Sequence, residues 1–151
     1  MESIEQPKQD DLSQLVSLVE QAHQSLAQHW MGDDFVIELL LASIIARGHV
    51  LVVDVPSVGK TTLAKALVVI LRLDFNRIQF TNDILPADIL GGSIYNASEA
   101  KFIFSSGPIF TDFLLADEIN RAPTWSQSAF LQAMEEGYVA ADGVNQPLSN
   151  L

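Results

Sequence analysis

Two short clusters in this chain carry residue types that can act on phosphate groups. The first is Val55-Pro56-Ser57-Val58-Gly59-Lys60-Thr61-Thr62, which follows the apolar run Val50–Val53 and Asp54. A buried strand, a tight loop ending in Gly-Lys-Thr and then a helix is the layout of a phosphate-binding loop. In that layout the backbone from Pro56 to Thr62 lies against a phosphate chain: Pro56, Ser57, Val58, Gly59, Lys60, Thr61 and Thr62 are the candidate contacts. The start of the following helix adds a partial positive charge. Lys60 is expected to reach the β- and γ-phosphates, and the Thr61 hydroxyl to coordinate Mg²⁺. Asp54 stands where the pattern begins with glycine. A carboxylate beside a polyphosphate is repulsive and bulkier than glycine, so weakened nucleotide affinity is expected.

The second cluster is Phe113-Leu114-Leu115-Ala116-Asp117-Glu118. An apolar strand here delivers two carboxylates to its C-terminal edge, where ligands bind in open α/β sheets. Asp117 is the candidate Mg²⁺ ligand and Glu118 the candidate general base that polarises an attacking water. A strand ending in two acids is often only a strand meeting solvent. Downstream of a Gly-Lys-Thr loop it gains weight, because each cluster supplies what the other lacks for holding a metal nucleotide.

Positioning these groups takes a scaffold, and the hydrophobic pattern supplies one. Residues 1–10 read as a flexible arm. From Asp11 a helical period places Leu12, Leu15, Val16, Val19, Ala22 and Leu26 on one face. Asp33 or Asp34 can cap a second helix, roughly Phe35 to Arg47, apolar nearly all round and expected beneath a sheet. Val50–Val53 reads as the first strand, Thr62 to Leu71 as a helix and Arg77–Thr81 as the second strand. Asn82 to Gly92 reads as a turn-rich connection, Ser93 to Phe104 as a hairpin and Phe113–Ala116 as the third strand. Thr124 to Glu136 reads as a helix started by Pro123 and closed by Gly137. A weak hairpin beginning at Tyr138–Ala140 turns at Asp142-Gly143. Strands alternating with helices imply an α/β fold with a mostly parallel sheet.

Bulk composition narrows the function. The 151 residues are 48% hydrophobic, with net charge −11 and eight Lys plus Arg. That argues against binding nucleic acid by phosphate neutralisation. Without cysteine, disulfides and thiol chemistry are excluded. His23, His29 and His49 lack metal-ligand spacing. The polar N-terminus is unlike a signal peptide, and the longest apolar run, Phe35 to Ala46, is too short to cross a bilayer. The expected setting is cytoplasmic, with no membrane insertion.

The motifs taken together resemble the MoxR family of AAA+ ATPases. The resemblance rests on Arg47-Gly48-His49-Val50-Leu51, Val55 to Thr61, Arg77-Ile78-Gln79-Phe80-Thr81, Leu85-Pro86-Ala87-Asp88-Ile89, Gly107-Pro108-Ile109-Phe110 and Ala116-Asp117-Glu118-Ile119-Asn120-Arg121-Ala122-Pro123. Gln127-Ser128-Ala129 and Ala133-Met134-Glu135-Glu136 continue it. It implies a P-loop NTPase fold, a three-layer sandwich, with ATP and Mg²⁺ as ligands and Mg-dependent hydrolysis driving chaperone-like remodelling or cofactor and metal insertion in a client protein. It also implies ring assembly of the full-length family member. By position, Ser93–Phe104 resembles a helix-two insertion and Tyr138–Leu148 a pre-sensor-one insertion. Thr81 matches a residue that can hold the catalytic glutamate inactive, although an ordinary strand-end threonine is an equal reading. Trp125 falls at a usually polar position and is expected to be buried. Trp30-Met31-Gly32-Asp33 stands where the family contacts adenine.

The expected organisation is an arm (1–10) and a partial AAA+ core (11–151). The core divides into a helical lead-in (11–47), the stretch from the phosphate loop to the helix after the acidic pair (48–137), and a hairpin (138–151). A further strand, an arginine finger and a lid subdomain belong to the family and are absent from these residues, so an incomplete core is expected. Two other readings compete: a non-hydrolysing nucleotide-binding or interaction fragment, and a magnesium-chelatase-type AAA+ subunit.

Overall fold

In a computed structural model, residues 9–28, 30–53 and 59–148 are described. The chain forms two compact units divided between Arg72 and Leu73.

The first unit is helical. Helix α1 spans Gln9–Ala27, α2 Asp34–Ile45 and α3 Lys60–Leu71. Asp33 caps α2: its carboxylate accepts the Phe35 N–H at 3.0 Å, satisfying one of the donors a helix start leaves open. Helix α1 packs on both α2 and α3. Ala22 and Leu26 of α1, Ile37 and Leu41 of α2, and Leu63, Ala64, Leu67 and Val68 of α3 are buried. The predicted apolar stripe of α1 is thus used only near its C-terminus; Leu12, Leu15 and Val16 are exposed. Helix α2 departs from its expected burial, since Phe35, Leu39 and Ile45 are exposed. Its partner within the unit is α1 and not a sheet.

The first expected strand does not form. Residues 50–53 have no ladder, and Leu51 and Val53 are 81% and 86% exposed. A strand needs a hydrogen-bonded neighbour, and among the described residues none pairs with this segment. Apolar composition alone does not make strand.

The second unit holds the acidic cluster. Strand β1 (Phe75–Gln79) pairs in parallel with β4 (Phe113–Asp117), placing Phe75 opposite Phe113 and Gln79 opposite Asp117. Strand β1 therefore begins and ends two residues earlier than the alternation of Arg77–Thr81 predicts. The Phe80 N–H still bonds to Asp117 O at 2.9 Å, but Thr81 has left the strand. Between β1 and β4 lie helix α4 (Pro86–Leu90) and an antiparallel hairpin, β2 (Gly91–Asn96) with β3 (Lys101–Ser106). Helix α4 replaces part of the expected turn-rich connection. Pro86 fills a first position that needs no N–H, and the Asp88 carboxylate accepts the Leu85 N–H at 2.9 Å. At the hairpin's root, Gly91 (φ 83°) and Gly107 meet backbone to backbone, so closely that a Cβ on either would collide with the other's chain.

After β4 come a single 3-10 turn (Ile119–Arg121), helix α5 (Thr124–Glu136) and a second hairpin, β5 (Tyr138–Ala141) with β6 (Val144–Pro147). The fold is α/β, with one parallel pair and two hairpins among the described residues. Its core gathers Ile78, Phe80, Ile89, Ile109, Ala122, Phe130, Ala133 and Val139. Phe80 and Phe130 meet edge-on at 5.4 Å. Fully burying a side chain of this size stabilises by about 1.5–3 kcal/mol, so Phe80, at 0% exposure, anchors the end of β1. Buried Ser126 ties α5 to the loop after β1, donating to Ile84 O at 2.7 Å. Contrary to expectation Trp125 is 62% exposed, because α5 turns Ser126 and Phe130 inward.

Candidate active site

In the first unit, Gly59 precedes α3 with φ 80°, a left-handed conformation that L residues rarely take. Lys60, Thr61 and Thr62 form the first turn of α3, two residues earlier than predicted. Their backbone N–H groups are among those a helix start leaves without intrahelical partners, the arrangement that favours an anion. The indole of Trp30 lies beside this turn: a Cβ placed on Gly59 would meet its ring at 3.8 Å. Trp30 is itself fixed by Nε1, which donates to Asp33 O at 3.1 Å. Asp54, Pro56, Ser57 and Val58 lie outside the described residues.

In the second unit the acidic pair is embedded in a polar chain. Arg77 and Gln79 are two residues apart on β1 and share a face. The Arg77 guanidinium reaches forward to Asp117, Nε to Oδ2 at 2.7 Å. Its Nη2 donates to Gln79 Oε1 at 3.4 Å, and Gln79 Nε2 donates to Glu118 Oε2 at 2.7 Å. Arg121 closes the chain from the other side, Nε to Glu118 Oε2 at 3.1 Å. Both carboxylates thus have a cation beside them, and a single amide links the two halves.

Glu118 has φ 57° and ψ 39°, a left-handed backbone on a non-glycine residue. Such conformations cost on the order of 1–3 kcal/mol and persist where surroundings over-determine them. Here the turn is held by the Arg121 N–H, which bonds to Glu118 O at 2.8 Å. The bend carries the chain from β4 into the 3-10 turn and separates Glu118 from the strand direction that Asp117 still follows.

Thr81 is placed differently from expectation. Its hydroxyl donates to Asp83 Oδ1 at 2.6 Å, and the residue holding Glu118 is Gln79. Thr81, Asn82 and Arg121 line an open depression of about 360 Å³. The sequence signal for Gln79 was present, as a polar residue on the same strand face as Arg77. Choosing it over Thr81 required the β1–β4 register.

Residues 49–151 match the profile of the ATPase family associated with various cellular activities (AAA). The chain belongs to this family. The AAA-type assignment extends to the MoxR group through its relatives. The chain is 45% identical over 142 residues to the uncharacterized protein YeaC of Bacillus subtilis, covering 94% of this chain and 43% of that protein. It is 42% identical over 118 residues to Chaperone MoxR1 of Mycobacterium tuberculosis, covering 78% of this chain and 31% of that protein. The crystal structure of "a putative ATPase" from Cytophaga hutchinsonii superposes with TM-score 0.72 at 36% identity, over 92% of this chain and 44% of that one. The AAA chain described here therefore spans less than half the length of these relatives. Among its described residues no helix is long and apolar enough to cross a membrane.

Proposed function

We propose that this chain binds ATP at the first turn of α3 and carries, at the end of β4, the acidic pair that acts on it. The observation that supports the reading is the combination of a left-handed Gly59 opening α3 with two carboxylates at the edge of a parallel pair. In this reading residues 56–62, Pro56 to Thr62, cradle the phosphates and Lys60 carries the positive charge toward them. Thr61 of the first unit and Asp117 of the second are each a hard oxygen donor of the kind Mg²⁺ prefers. When bound, Mg²⁺ would supply charge neutralisation on the β- and γ-phosphates. Glu118 would take the proton of the attacking water, with Gln79 and Arg121 orienting its carboxylate until then. The output in the longer relatives' class would be remodelling of a client protein by a ring of subunits. The chaperone name of one relative supports that direction; insertion of a metal or cofactor is a narrower version of it.

The test uses Trp30 as reporter. In a Trp125→Phe background, a fluorescent ATP analogue is titrated with and without Mg²⁺, and phosphate release is followed in parallel. Saturable binding with quenching of Trp30 is expected. No binding at millimolar nucleotide overturns the reading. Binding without turnover selects a non-hydrolysing nucleotide-binding chain, a reading favoured by Asp54 and by the arginine already seated on each carboxylate.

A further inference from the structure

We propose that Arg77 is a built-in counter-ion for Asp117, occupying its carboxylate in place of the metal and thereby setting how tightly the site takes a divalent cation. The inference rests on the ATP and Mg²⁺ reading above and adds to it a positioning residue.

Two adjacent carboxylates at a strand end repel each other unless a cation is near. This chain has only eight Lys plus Arg against 19 Asp plus Glu, yet two of its arginines stand on this pair. The two contacts differ in kind. Arg121 reaches Glu118 from three residues away, a local contact within the turn. Arg77 comes from another strand, 40 residues earlier in the chain, and its place is fixed by the β1–β4 register. A planar guanidinium can serve two acceptors at once, and here it touches both Asp117 Oδ2 and Gln79 Oε1. Lysine could not hold both in one plane.

The arginine is also free to leave. Its side chain is 47% exposed while that of Asp117 is 23% exposed, so the cation has solvent to move into and the carboxylate stays in place. An exposed ion pair of this kind holds weakly. A divalent cation arriving at Asp117 would meet the guanidinium as a like charge and must displace it. Arg77 therefore keeps the acid paired without metal and raises the metal concentration needed to fill the site.

The experiment titrates the full chain with Mn²⁺, read as loss of the free-ion paramagnetic resonance signal, in wild type, Arg77→Gln, Arg77→Lys and Arg77→Gln with Asp117→Asn. Arg77→Gln is expected to bind Mn²⁺ roughly fivefold more tightly than wild type. Arg77→Lys, which keeps the charge and loses the fork, should fall between them and covers the case in which the glutamine variant folds poorly. The gain should vanish with Asp117→Asn. Equal or weaker Mn²⁺ binding in Arg77→Gln, or a gain that survives Asp117→Asn, overturns the proposal. A chain that fails to bind the ATP analogue but still shows the Asp117-dependent gain would sink the ATP reading and leave this one standing. Normal nucleotide binding with no Mn²⁺ effect would do the reverse.

Discussion

The side-chain amide of Gln79 donates to Glu118 Oε2 at 2.7 Å, across from the last residue of one strand to the first residue beyond its neighbour. A carboxylate committed to an amide donor is less available to a water it must activate. In a chain that turns over ATP, Gln79→Ala should raise basal turnover about threefold, the scale of a partly exposed hydrogen bond to a charged group. Thr81→Ala, at the position the sequence suggested, should leave turnover within about twofold because Thr81 bonds to Asp83. Steady-state kinetics on both variants decides it: equal effects would remove Gln79 from the site.

The left-handed backbone at Glu118 gives a prediction about stability that is separate from chemistry. Glu118→Ala and Glu118→Gly both delete the carboxylate and its contacts with Gln79 and Arg121. Only glycine takes φ 57° without steric cost. Glu118→Gly should therefore be more stable than Glu118→Ala by about 1 kcal/mol in denaturant unfolding. Identical midpoints would show that the turn relaxes once the side chain is gone.

Ser126 has 0% exposure and one evident task, donating to Ile84 O at 2.7 Å. Ser126→Ala leaves that carbonyl short of its partner and should cost about 1–2 kcal/mol in urea unfolding. The loop from Thr81 to Leu85 would loosen with it, visible as faster amide exchange at Ile84. An unchanged midpoint would mean another donor takes over.

Asp54 is a prediction from sequence alone. Replacing it with glycine restores the usual start of the phosphate loop and removes a charge beside a polyanion. Asp54→Gly should tighten binding of the ATP analogue about tenfold, with an effect that shrinks as salt rises. Equal affinities would place the carboxylate away from the phosphates.

How much of this site could be read in advance follows the range of the interactions. The strand ending in Asp117-Glu118 is legible because four apolar residues, Phe113 to Ala116, precede two acids, a local pattern. Asp33 as a cap and Gly137 as a helix end are local as well, and both hold. The length of β1 was not, because Arg77 to Thr81 alternates well but pairing with Phe113–Asp117 ends the strand at Gln79. The same register, invisible in one sequence, decides that Gln79 rather than Thr81 meets Glu118. Residues 50–53 fail for the complementary reason: their composition favours strand, yet a strand is a pairwise object and no described neighbour completes it. An aromatic residue in an amphipathic helix is most often inward, but Trp125 is exposed because Phe130 already fills the inward place against Phe80.

The contact between Gly91 and Gly107 has a consequence for the hairpin they support. Both strands leave the body through a crossing where no side chain fits, so the glycines at the base set the direction of the β2–β3 arm together with the Ser93 hydroxyl on Asp142 and the Phe104–Phe110 ring contact. Its outer residues, Ile94, Tyr95 and Phe102, are exposed. The tip can accordingly vary in chemistry while pointing the same way, as a tool bit can be exchanged in a fixed chuck. Alanine at either root position would swing the whole arm without touching the surface it presents.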